Sequence, residues 1–159
     1  MHLVRRFFAS LRPGPPPPAD EAWARAFLLP SESALWSRMS KPDRRHCIAV
    51  ARATSRVLGA AAERSVVAAA LLHDVGKVKS GLGTLTRVGA TVAGTLVGRD
   101  RFHGRIGDYL HHDELGAHML EVAGSDPLTV TWAREHHLPP ERWSLDPTVA
   151  AALKSADDD

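Results

Sequence analysis

Several of the nine histidines in this 159-residue chain, together with two aspartates, stand where helical periodicity turns them toward an apolar face. In the segment opened by Pro42, His46 keeps offsets of three, four, seven and eleven to Ala49, Val50, Ala53 and Val57. In the apolar run that ends LLHD, His73 stands four after Ala69 and seven after Val66, and Asp74 follows it two residues before Gly76. His112 shares a face with Leu115, Gly116, Met119 and Ala123, whereas His111 and His118 are rotated away from it. Asp157 stands four after Leu153 and eight after Val149. One imidazole on an apolar face is ordinarily a satisfied core residue. Three imidazoles and two carboxylates are different: buried apart, each costs several kcal/mol of desolvation, and buried together without a counter-charge the carboxylates repel. A shared cation removes both penalties. His136 and His137 add two imidazoles at the C-terminal end of a helix. Adjacent helical residues point about 100° apart, but at a fraying terminus both can bend toward one ion.

The single cysteine, Cys47, excludes an intramolecular disulfide and a multi-cysteine zinc site, which suits an intracellular, cytoplasmic protein. Any metal is then held by nitrogen and oxygen, a donor set that suits Mn, Fe, Ni, Mg or Zn as divalent ions in five- or six-coordinate geometry. Six or seven donors are too many for one ion that keeps open positions. Two ions are the expectation, with Asp74 as the carboxylate able to bridge them.

The elements that must position these residues read as all-α. A composition of 44% hydrophobic and 24% charged residues is that of a globular domain, and no alternating Val/Ile/Tyr pattern marks a strand. Asp20 and Ser31 are candidate N-caps for helices over Trp23–Leu28 and Ala34–Met39. Pro42 opens a longer helix to about Leu58, with Gly59 as its stop. Glu63–Leu72 is apolar almost all round, the mark of a central buried helix, and Gly76 ends it. A modest helix is expected over Leu85–Leu96, and three more over Ile106–Val122, Pro127–His136 and Pro147–Asp158. Residues 1–19, basic and then proline-rich, read as a disordered tail ahead of a helical domain over 20–159. The longest uncharged apolar stretch, Val88–Gly98, falls far short of the roughly 20 residues that cross a bilayer, so no transmembrane segment is expected. A formal net charge of +2 is too small to argue for a nucleic-acid surface.

The order His46, then LLHDVGKV with His73 and Asp74, then HDELGAHML with His112, then REHH with His136 and His137, then KSADD with Asp157 resembles the HD superfamily of metal-dependent phosphohydrolases. The resemblance covers roughly Asp43 to Asp158. It implies a bundle of five or more helices around the metals. It implies that His46, His73, Asp74 and Asp157 hold the first metal, that Asp74, His112, His136 and His137 hold the second, and that Lys77 faces the substrate phosphate. Asp74 and Lys77 are then the catalytic residues, and the substrate is a small phosphate ester or anhydride, nucleotide-like or otherwise. The cyclic-di-GMP phosphodiesterases of this superfamily follow the paired histidines with Glu and then Gly-Tyr-Pro; here Leu138-Pro139-Pro140 follows, so that subtype is not assigned. The Glu-Asp pair of the guanosine tetraphosphate hydrolases has no matching position, and the chain is too short for the large deoxynucleotide triphosphohydrolases. Two alternatives remain beside hydrolysis: a mixed-valent di-iron oxygenase with the same ligand set, and a non-catalytic helical module with a structural or regulatory metal.

The remaining candidates have plainer readings. Arg44 and Arg45 suit a solvated helix edge, and Arg99, Arg101 and Arg105 a solvated loop, although the glycine-rich Gly81–Gly107 segment is placed to act as a lid that offers cations to a substrate. Cys47 reads as a small buried hydrophobe, His103 and His111 as exposed polar positions, and Trp23, Trp36, Trp132 and Trp143 as packing residues. Of the final three aspartates, only Asp157 continues the Val149/Leu153 face.

Overall fold

Prolines and short polar side chains mark most of the helix starts, because a first helical turn leaves amide groups without partners. Helix α1 (Pro18–Arg25) and helix α2 (Pro30–Arg38) each place a proline at their first position. Helix α3 (Lys41–Leu58) is capped by Ser40, whose hydroxyl accepts the Asp43 amide at 3.2 Å. Helix α7 (Pro127–Glu135) begins on Asp126, which accepts the Leu128 amide at 2.9 Å. Helix α8 (Pro147–Asp158) begins on Asp146, which accepts the amides of Thr148 and Val149. The central helix α4 (Arg64–Leu72), the single turn α5 (Lys77–Ser80) and helix α6 (His112–Val122) complete the set. The computed structural model describes residues 14–80, 103, 104, 106 and 110–158. Residues 1–13, the helix expected over Leu85–Leu96, Arg99, Arg101, Arg105, nearly all of the Gly81–Gly107 lid and Asp159 lie outside the described residues.

Among the described residues the chain is all-α, with no strand. Helix α4 is the hub: Val66 through Leu72 are all buried, α3 and α7 pack against it, α8 packs on α3, and α6 packs on α7. Burying each of its larger apolar side chains contributes about 1.5–3 kcal/mol. Three expectations shift. Asp20 and Ser31 do not cap, because Pro18 and Pro30 start their helices earlier; Asp20 instead pairs with Arg52 at 2.7 Å, and the Ser31 hydroxyl donates to the Ala123 carbonyl at 2.7 Å. Ile106 and Leu110 are helical as expected, but the helix is interrupted at the non-helical backbone of His111 and is regular from His112. The buried face of α3 is Cys47, Ile48, Val50, Ala51 and Thr54, so Ala49 and Val57, expected beside His46, are exposed, Val57 at 71%. His46 therefore stands at the edge of the buried stripe, half-exposed, rather than at its centre.

Helices α1 and α2 brace α3. The fully buried Trp36 donates its indole N–H to Glu21 at 2.9 Å, and Glu21 pairs with Arg44 at 3.0 Å. The Arg45 guanidinium donates to the Gly14 carbonyl. Arg44, read from sequence as a solvated edge, is thus part of a bridge between α1 and the start of α3.

The turn His73–Gly76 that leaves α4 is pressed against α6. A Cβ on Gly76 would stand 1.9 Å from the His112 carbonyl oxygen and 2.7 Å from the Gly116 amide. This glycine is demanded by the approach of another backbone, unlike Gly124, whose φ of +71° is demanded by conformation while the space around it is open. Gly76→Ala is therefore expected to destabilise by about 3 kcal/mol or more, at the upper end of overpacking costs, and Gly124→Ala by about 1–2 kcal/mol. Urea unfolding of the two variants checks this; equal losses at the two positions would contradict it.

Candidate metal centre

The polar residues converge because most of them stand at or just beyond helix ends that meet in one region. His46 lies in the early turns of α3, His73 directly after α4, Asp74 in the turn that follows, His112 at the first position of α6, His136 and His137 directly after α7, and Asp157 in the last turn of α8. Two of these endings are built alike. The ring Nδ1–H of His73 donates to the carbonyl of Ala70 at 2.9 Å, and that of His136 donates to Ala133 at 2.9 Å. Each bond satisfies a helix-terminal carbonyl and leaves the other ring nitrogen, Nε2, facing the centre.

Asp74 stands between two groups of imidazoles. Its Oδ2 lies 3.5 Å from His73 Nε2, and its Oδ1 lies 3.4 Å from His112 Nε2 and 3.9 Å from His136 Nε2. Beyond His73, Asp157 Oδ1 is 3.6 Å from His73 Nε2 and 2.9 Å from His46 Nε2. Beyond His112, His137 Nε2 is 3.1 Å from His112 Nε2. One lobe is thus His46, His73 and Asp157, the other is His112, His136 and His137, and Asp74 turns one oxygen to each. Lys77, one turn on from Asp74, places its ammonium 2.5 Å from Oδ2. All seven sequence-predicted donors and Lys77 are therefore brought together. His118 and His103 are exposed and His111 is half-buried.

The electrostatics follow from the packing. Burial pushes Asp74 toward the neutral acid, but Lys77, His73 and His112 outweigh it and hold the carboxyl well below the usual range. Asp157 is likewise pushed up by burial and held far lower by its hydrogen bond to His46 and by the nearby His73 ring. Burial pushes His73 down, and the Asp74 and Asp157 carboxylates hold it well above the ordinary imidazole range. His136, with burial first and His137 and His73 next, is held well below that range.

These residues fit a divalent cation. His73 Nε2 and His136 Nε2 are buried without a hydrogen-bond partner, a costly arrangement for polar atoms. Donors bound about 2.1 Å from one ion at right angles stand about 3 Å apart, and the spacings of 3.4–3.9 Å around Asp74 are longer than direct hydrogen bonds between the groups. Two residues differ from the sequence reading in part: Cys47 is buried, as expected of a small hydrophobe, but has polar neighbours, and Asp113 is buried although nothing singled it out. The Cys47 sulfur lies with His73 and Asp74 in a third cluster of potential donors, a place foreshadowed by its central position on the α3 stripe. Asp113 is 8% exposed beside His112, and its hydrophilic type gave no sign of burial.

The family model for the HD domain matches residues 44–158. Neither a curated protein nor a solved structure shows a significant match to the chain.

A cation that gives the two unpartnered nitrogens a partner must stabilise the folded state. At a hundredfold excess over its dissociation constant, Mn²⁺ is expected to add about 2.7 kcal/mol, raising the thermal midpoint of the chelator-treated protein. Asp74→Ala should remove most of this response. An unmoved midpoint in the wild type, or an equal shift in the variant, would contradict the assignment.

Proposed function

Because this chain belongs to the HD-domain family, we propose that it is a metal-dependent phosphohydrolase or phosphodiesterase acting on a small phosphate ester or anhydride, nucleotide-like or otherwise. HD domains are in general metal-dependent phosphohydrolases. The observation that carries the reading is the division of Asp74, with Oδ1 toward His112 and His136 and Oδ2 toward His73. One carboxylate between two imidazole groups suits a pair of ions. His46, His73, Asp74 and Asp157 hold one divalent ion in this reading, and Asp74, His112, His136 and His137 hold the other, with Mn, Fe, Ni, Mg or Zn all compatible with the donors.

Bound divalent ions in such a set supply positive charge to a phosphoryl group and acidify water. The chain's own residues do the rest. The Ala70 and Ala133 carbonyls fix the tautomers and ring directions of His73 and His136. Asp74, held ionised, orients the attacking water. The Lys77 ammonium, on a flexible stem beside Asp74, reaches a non-bridging phosphate oxygen and neutralises charge that builds in the transition state. After His137 the chain turns through Leu138 and Pro139 into the 3₁₀ turn Pro140–Arg142, tied by the Trp143 indole to the Leu138 carbonyl at 3.1 Å. This proline turn occupies the place of the Glu and Gly-Tyr-Pro elements of the cyclic-di-GMP enzymes and supports a different substrate.

Reconstitution with each metal and assay on a panel of phosphomonoesters, nucleotides and cyclic dinucleotides tests the proposal. Asp74→Ala should lose both turnover and bound metal. Lys77→Ala should keep the metal and lose about 10²–10³-fold in kcat, the range for removing one charge-stabilising donor. Full metal content and activity in the Asp74 variant would refute the assignment. Iron-dependent O₂ consumption with no phosphate release would favour the oxygenase alternative, and cyclic-di-GMP as the best substrate would overturn the specificity reading.

A further inference from the structure

We propose that Cys47, His73 and Asp74 form a further cation site, selective for thiophilic divalent ions such as Cd²⁺ or Zn²⁺, whose occupation excludes an ion from the His46, His73 and Asp157 lobe. The Cys47 sulfur, a ring nitrogen of His73 and a carboxylate oxygen of Asp74 lie within 4.8 Å of one another. All three residues are buried, at 0, 1 and 3% exposure. They come from three places in the chain, α3, the end of α4 and the turn beyond it, and they offer sulfur, nitrogen and oxygen. The second observation is His73 itself. Its Nδ1 is committed to Ala70, while its Nε2 is buried with no hydrogen-bond partner.

Cys47 follows His46 in sequence, so the two leave α3 about 100° apart. The His46 ring meets the His73 ring edge-on at 5.7 Å. An ion bound with His46 and Asp157 is served by nitrogen and oxygen, which suits Mn²⁺ or Mg²⁺; an ion on the Cys47 side gains a soft sulfur donor, which suits Cd²⁺ and Zn²⁺. On binding, the thiol proton leaves to solvent, and one thiolate and one carboxylate balance the divalent charge. His73 Nε2 has one lone pair and serves one ion, so the two positions are mutually exclusive. Thiophilic ions would then displace a harder ion from the lobe, whichever reaction the centre performs.

The test is titration of the full chain with Cd²⁺, followed by the ultraviolet thiolate-to-cadmium charge-transfer band. The band should saturate at the amplitude of one thiolate-bound Cd²⁺ per chain, whether or not the His112, His136 and His137 lobe also takes Cd²⁺. It should vanish in Cys47→Ala, persist in Asp157→Asn, and form more than about tenfold more weakly in His73→Ala. Where His73→Ala loses its helical circular dichroism, Asp74→Asn serves the same comparison. Cd²⁺ should also lower the number of Mn²⁺ ions bound in equilibrium dialysis. Absence of the band in the folded wild type, undiminished Cd²⁺ affinity in the folded His73 or Asp74 variant, or Mn²⁺ binding unaffected by saturating Cd²⁺ would overturn the proposal. Phosphohydrolase activity without the band refutes this site alone. The band and the competition without phosphate release on any substrate uphold it and count only against the hydrolytic reading.

Discussion

An ionised carboxylate just beyond the end of an apolar helix that is buried from Val66 to Leu72 is the constraint around which this bundle is arranged. Asp74 is 3% exposed, and a lone charge there would be forced to neutralise. The fold instead surrounds it with groups that carry or accept positive charge: Lys77 from its own turn, His73 beside it, and His112 and His136 from two other helices. The backbone approach of α6 at Gly76 sets how near His112 can come. Packing and electrostatics are therefore one problem here, since the glycine contact that closes the bundle also brings an imidazole to the carboxylate.

The central helix was legible because every position from Val66 to Leu72 is apolar and buried, a pattern that needs no knowledge of partners. The long helices were legible from their prolines and glycines, with the stop at Gly59 and the break at Gly124 both at positive φ. The edges of the stripes were less so. Periodicity assigned Ala49 and Val57 to the face of His46, but both are exposed, because α3 is covered from the Cys47 side and His46 lies at the rim. The candidate site escapes stripe logic in general, since most of its residues sit at or just beyond helix termini where the 3.6-residue period has ended. What exposed them was residue type, polar groups bordering apolar runs, and the ordered resemblance of the motifs. The capping bonds of His73 and His136 to the residue three before each of them, both alanines, are a local regularity visible only in coordinates.

The N-terminal helices show how charge outside the centre is used. Glu21 accepts from the buried Trp36 and pairs with Arg44, so two residues next to His46 along α3, Arg44 and Arg45, both reach backward to the chain that precedes them. This ties the opening turns of α3, and with them the half-exposed rim of the centre, to α1 and the chain just before it. Anchoring of this kind fixes the backbone that carries His46.

The central claim is that Asp74 lies between two ions rather than beside one. Diffraction from crystals loaded with Mn²⁺, recorded so that manganese scatters anomalously, measures this directly. The account predicts two anomalous peaks, one bounded by Asp74, His46, His73 and Asp157 and the other by Asp74, His112, His136 and His137. A single peak, or peaks that leave Asp74 uncoordinated, would contradict it.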